Sequence, residues 1–274
     1  TVKSGGVRAV FFRNELLNTL KNMLSQRVSR HVILLGPDGI GKRTLIYSLG
    51  LLMAEGKGPA GLNKLVTVEE GALLDNPVQA LTTVLTQARG GILSIPHIER
   101  FFGGPARSEF PKATATIQKA LLSDDPVIVG TAPEAEFNDR MANFSSVAEH
   151  VQVLRIPEPS EAEALQILKV VAPQMASDYK LTIADDALKT AVTLGKRYMS
   201  GIPLPRSAEY LMHRAAAIVS VNAARSSDPN ILPTLDGEDV TLAAAQMTGI
   251  PVAKLGQDER AKYAAMVEHL EERL

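Results

Sequence analysis

Apolar positions along this chain fall into two kinds of run. Some are short and nearly continuous, like buried strands; others recur at helical spacing. Residues 14 to 27 place Leu16, Leu17, Leu20, Met23 and Leu24 on one helical face. His31-Val32-Ile33-Leu34-Leu35 then reads as a strand, and 42–54 as a helix. Further strands are expected at 64–68, 91–95, 127–130 and 151–156, with helices at 77–88 and 113–122 between them. Strands alternating with helices predict an α/β fold: a parallel sheet with helices on both faces. After Pro157 the pattern changes. Helices are expected at about 160–171, 185–198, 205–225, 239–246 and 258–273, with turn residues over 226–237 and no comparable strand. The expected division is an α/β domain over 1–157 and a small, mostly helical domain over 158–274.

The segment Gly36-Pro37-Asp38-Gly39-Ile40-Gly41-Lys42 sits between the first strand and a helix. It fits the phosphate-binding pattern G-x-x-x-x-G-K. Glycines permit backbone shapes that turn successive N–H groups onto one anion. The helix start adds its positive end, and Lys42 is placed to meet the outer phosphates. The bland alternative is an ordinary strand–turn–helix with a chance lysine. The pattern normally continues with Ser or Thr, whose hydroxyl holds Mg²⁺. Here Arg43 occupies that position and Thr44 follows one residue late, about 100° further round the helix.

Composition narrows the picture. The 29 basic and 30 acidic residues nearly cancel, so charge gives no nucleic-acid footprint. There is no cysteine, which removes disulfides and thiolate metal sites. The five histidines (His31, His97, His150, His213, His269) have no ligand spacing and read as structural or surface groups. The longest nearly apolar run, 45–53, is far short of the roughly 20 residues that cross a bilayer. No membrane partner and a cytoplasmic setting are expected. The chain opens on Thr1 and reads as a piece of a longer protein.

Several further segments carry a family resemblance. Val10-Phe11-Phe12-Arg13-Asn14-Glu15 resembles the V-I-G-R-x-E that opens the first ATPase ring of Clp-type AAA+ unfoldases. Gly71-Ala72-Leu73-Leu74 resembles that family's G-A-L-x, and Ile156-Pro157-Glu158-Pro159-Ser160 its entry to the lid. Arg197-Tyr198-Met199, Leu204-Pro205-Arg206-Ser207-Ala208 and Thr248-Gly249-Ile250-Pro251-Val252 resemble R-Y-I, L-P-D-K-A and T-G-I-P-V. The resemblance implies an AAA+ P-loop sheet followed by a helical lid. It also implies ATP or ADP held by Val10, Phe11, Gly36, Asp38, Gly39, Ile40, Gly41, Lys42, Arg43, Thr44 and Pro205. The partners it implies are other AAA+ subunits or a second ATPase ring, together with protein substrates or adaptors.

Departures from the family bear on activity. Its strand ending in Asp-Glu, which supports Mg²⁺ and activates water, matches Pro96 and His97. Its sensor threonine matches Pro133, with Thr131 close by, and its intersubunit arginines match Glu149 and His150. The aromatic pore loop is shortened between Leu74 and Pro77. The expected function is therefore a nucleotide-binding module with lost or very weak hydrolysis, no catalytic residue, and weak or no use of Mg²⁺. Arg43 leaves three outcomes open: metal-independent binding, a crowded site, or pairing with Asp38. One alternative is a divergent active ATPase using His97, or Glu99, which otherwise reads as a surface residue. Another is an inactive subunit of a nucleic-acid-associated AAA+ complex. The family forms hexamers, while Glu149 and His150 argue for a monomer in isolation.

Overall fold

A computed structural model describes residues 13–104, 106–223 and 232–252. Contacts divide the chain into two compact units, Thr1–Glu158 and Pro159–Leu274. Each is described by itself.

The first unit is built on five parallel strands: β1 (His31–Leu35), β2 (Leu65–Thr67), β3 (Ile92–Ile95), β4 (Val127–Ala132) and β5 (Val151–Arg155). Their order is β2-β3-β4-β1-β5. Val32 lies opposite Val129 on one side and Gln152 on the other. Every residue of β1, β3 and β4 is buried. That explains the continuous apolar runs, since a parallel sheet covered on both faces has no solvent side. The edge strands β2 and β5 are only half-buried along most of their length.

Alternation along the strands separates two cores. Val32, Leu34, Ile92, Val127 and Val129 pack with Leu17, Leu20 and Leu24 of α1 (Asn14–Leu24) and Leu45, Ile46 and Leu49 of α2 (Lys42–Ala54). Ile33, Leu35, Leu93, Ile95 and Ile128 face the other way, onto Leu73 of α3 (Glu70–Asp75), Leu81 of α4 (Pro77–Gln87) and Ile117 and Leu121 of α5 (Thr114–Leu121). Each such buried side chain contributes about 1.5–3 kcal/mol relative to exposure. Two short helices, α6 (Glu134–Arg140) and α7 (Ser145–Ala148), complete the unit. Along with α3 they are too brief to show a helical period in sequence.

The second unit holds α8 (Glu161–Tyr179), α9 (Asp185–Tyr198), α10 (Arg206–Ala223) and α11 (Gly237–Thr248) around one apolar cluster. Capping boxes start α8, through Ser160 and Glu163, and α11, through Asp236 and Asp239. Helix α8 runs eight residues past the expected end at 171 and carries Pro173 inside it. Burial of Met175 in the shared core favours continuing the helix despite the missing N–H donor. Two-residue strands β6 (Thr182–Ile183) and β7 (Thr234–Leu235) pair in parallel. The helix expected over 258–273 lies outside the described residues.

Candidate functional site

The glycine loop is pinned at both edges. Gly36 N–H donates to Ala132 O of β4 at 3.2 Å, and Ile156 N–H donates to Leu35 O at 2.8 Å. A Cβ on Gly36 would lie 3.2 Å from Ile156 O, so the approach of these backbones requires glycine. Gly41 caps α2 with φ +101°, a left-handed shape that ordinary side chains resist. Between them, Gly39 turns and Ile40 is buried in the α1–α2 core, which fixes the loop to the sheet.

Lys42, the first residue of α2, is buried and folds back over the loop. Its Nζ donates to Gly36 O at 2.5 Å, Pro37 O at 3.0 Å and Asp38 Oδ1 at 3.3 Å. Burial pushes its ammonium pKa down, and the Asp38 carboxylate opposes that. Arg43 is exposed and forms its ion pair with Glu70 of α3, not with Asp38. Of the three outcomes open for Arg43, pairing occurs, but with a partner 27 residues away. Thr44 is exposed, and its carbonyl accepts from Ser48 Oγ at 3.0 Å.

A second group of polar side chains stands at the end of β3. His97 adopts a left-handed backbone, φ +49°, and opens a one-turn 3₁₀ helix, Ile98–Phe101. Its N–H donates to Thr131 Oγ1 of β4 at 3.2 Å. Nδ1 lies 3.2 Å from Glu99 Oε1, and Nε2 lies 3.8 Å from Asp38 Oδ1. The hydrogen bond to Glu99 is the main reason the imidazole pKa is raised, against the opposing effect of burial. Glu99 is not a surface residue: it is 4% exposed, and its Oε2 has no hydrogen-bond partner. The tight 3₁₀ turn carries the acid inward between the buried Ile98 and Phe101. Sequence gave no signal for this burial, since Glu99 is followed by Arg100 and the pair reads as a surface turn.

Val10 and Phe11 fall outside the described residues. Pro205 belongs to the second unit, where it is buried beside the start of α10 and its carbonyl accepts from Glu209 N–H at 3.0 Å. Pro133 precedes α6 and Glu149 follows α7. His31 is a structural histidine. Its Nδ1 accepts from Ile128 N–H and its Nε2 faces Ser123 O, both at 2.9 Å, and burial lowers its pKa.

The loop, the start of α2 and the Lys42 ammonium together suit a phosphate group. The donor set does not suit Mg²⁺. A guanidinium stands where a hydroxyl is required, and Pro96 offers no side-chain oxygen. Among the described residues, no three acidic or imidazole groups converge as a metal site.

Known proteins show the same architecture. A family model described as an AAA lid domain matches residues 160–262. The chaperone protein ClpB of Yersinia enterocolitica is 27% identical over 99% of this chain and 33% of its own length. A closed-state structure of Hsp104 with ATPγS and FITC-casein superposes with a TM-score of 0.83, at 25% identity, over 98% of this chain and 48% of that one. The extended Saccharomyces cerevisiae Hsp104–casein complex gives a TM-score of 0.78 at 25% identity, covering 94% and 45%. The chain has the AAA+ fold of these Clp-type relatives, with a lid domain. This AAA+ domain spans about a third of that ClpB and under half of the Hsp104 chains. No helix among its described residues is long and apolar enough to cross a membrane.

Proposed function

We propose that this AAA+ domain is a nucleotide-holding module of a Clp-like protein-remodelling machine and has lost effective ATP hydrolysis. Its role is structural or regulatory, with a second ATPase ring or other AAA+ subunits supplying turnover and protein substrates or adaptors as further partners. The observation that carries this reading is the Arg43–Glu70 ion pair. It occupies the helix position from which the family's hydroxyl takes Mg²⁺, while the glycine loop and Lys42 keep a phosphate-binding form. Relatives solved with ATPγS and casein support the choice of nucleotide and of a protein client.

Phosphoryl transfer needs charge stabilisation, in-line geometry and an oriented water. Loss of one main contributor costs about 3–4 kcal/mol, a factor of roughly 100 to 1,000 in rate. With the metal hydroxyl and the Asp-Glu pair both replaced, turnover should fall to background. Steady-state phosphate release tests this. The expected rate equals that of Lys42→Ala, whereas sustained release by the wild type that is lost in Lys42→Ala refutes the proposal.

One observation favours a second reading. Glu99 is buried and bonded to His97, an acid–imidazole pair of the kind that can accept a proton. Turnover abolished by Lys42→Ala and also by His97→Gln or Glu99→Gln would make this chain a divergent active ATPase.

A further inference from the structure

Asp38 Oδ1 stands between the Lys42 ammonium, 3.3 Å from Nζ, and the His97 ring, 3.8 Å from Nε2. Both distances exceed those of a strong charge-assisted bond, roughly 2.7–2.9 Å. The carboxylate therefore bridges them loosely. Asp38 is 55% exposed and free to swing into solvent, whereas Lys42 and the backbone of His97 are held in place. Glu99 shows why a cation is wanted at position 97. A buried carboxylate is costly unless it is paired, and only one of its oxygens has a partner. An imidazolium satisfies that oxygen through Nδ1–H and leaves Nε2–H directed at the mouth of the glycine loop.

We propose that Lys42 and the imidazolium of His97 jointly hold the terminal phosphate of a nucleotide, in the place the Asp38 carboxylate takes in this structure. Asp38 is then an internal competitor that the ligand displaces, and His97 supplies part of the positive charge that Mg²⁺ brings to other nucleotide sites. The inference rests on the nucleotide-holding reading above and adds a residue and a mechanism to it. The charged groups acting on His97 are Glu99 from its own turn, Asp38 from the loop and Arg43 from α2. Thr131 of β4 contributes only a hydroxyl, which fixes the backbone. Of these, Glu99 and Asp38 favour the imidazolium and Arg43 opposes it.

The test is calorimetric titration with ATP in EDTA at pH 6 and pH 8. Wild type should bind about tenfold more tightly at pH 6, the gain expected of one charge-assisted phosphate contact. In His97→Gln most of that ratio should vanish; titration of ATP itself is common to both proteins and cancels in the comparison. Asp38→Asn should bind several-fold more tightly than wild type at pH 8, because the competitor is gone. Glu99→Gln should move the loss of affinity to lower pH, and ring ¹⁵N spectra should show the His97 midpoint falling with it. ATP should raise that midpoint in the wild type. Equal affinity at both pH values, or an unchanged ratio in His97→Gln, overturns the role of His97 and leaves nucleotide holding intact. Absence of ATP binding by wild type and Asp38→Asn at both pH values overturns nucleotide holding, and this inference with it.

Discussion

Lys42→Met separates the lysine's structural contacts from the phosphate binding proposed for it. In the free protein, Nζ is buried and held by two loop carbonyls and by Asp38. Charge-assisted bonds of that kind contribute about 1.5–3 kcal/mol each. The Asp38 pair adds no more than about 1 kcal/mol, because its acid is mostly solvated. Against them stands a desolvation cost of several kcal/mol for taking the ammonium out of water. These contributions nearly cancel, and methionine retains the buried stem. The folding stability should change by about 1 kcal/mol or less, which is at most about 2–4 °C in Tm for a unit of this size. Binding loses its main cation outright. One charged phosphate contact corresponds to a tenfold to hundredfold loss in affinity. Thermal denaturation and metal-free titration with ATP, run on one preparation, give both numbers. ATP affinity within twofold of wild type would refute phosphate binding by Lys42. A fall in Tm of more than about 10 °C would make it a structural lysine instead.

Two further outcomes follow from the same geometry. Gly195→Ala on α9 would set a Cβ 2.9 Å from Ala208 N on α10. Overpacking against backbone costs about 1–3 kcal/mol and outweighs the gain in helix propensity; an unchanged or raised Tm by calorimetry would show that α9 and α10 do not approach so closely. The second concerns pH. His97 has a raised folded pKa, so its contribution to stability is complete below the unfolded value, near 6.5, and is lost as pH rises through the folded value. The stability difference between wild type and His97→Gln, measured by urea denaturation, should therefore be larger at pH 6 than at pH 8.5; a constant difference would deny the coupling to Glu99.

Sequence carried the sheet because its signal is local and redundant. β1 and β4 are mostly apolar and buried without a break since both faces are covered, and α2 follows its glycine loop at a fixed spacing. The miss in α8 has an equally local origin. Pro173 reads as a stop, yet the helix passes through it because Met175 belongs to the second unit's core. The β6–β7 pair joins residues 52 apart with two residues each, too little for any periodicity to register. The site divides in the same way. Gly36 to Lys42 was legible as a glycine loop between β1 and α2, being one contiguous segment. The partners of its cations were not. Glu70 reaches Arg43 from a different helix, and Glu99 is buried only because a left-handed residue at His97 starts a tight turn.

The distribution of those partners would order the events of the proposed binding. Lys42, Arg43 and His97 are matched by Asp38, Glu70 and Glu99, so the cradle has no surplus of positive charge until an acid leaves. Asp38 and Glu70 are about half exposed, and pairs of that kind are worth only about 0.2–1 kcal/mol. A phosphate can displace them at little cost. Glu99 is buried and cannot leave without abandoning His97, which makes it the fixed anion of the site. Exposed acids thus screen the cradle when it is empty, while the buried acid keeps one cation oriented for the ligand. On the proposed reading, an incoming nucleotide would gain its charge complement by exchange of side chains already present, without a divalent ion.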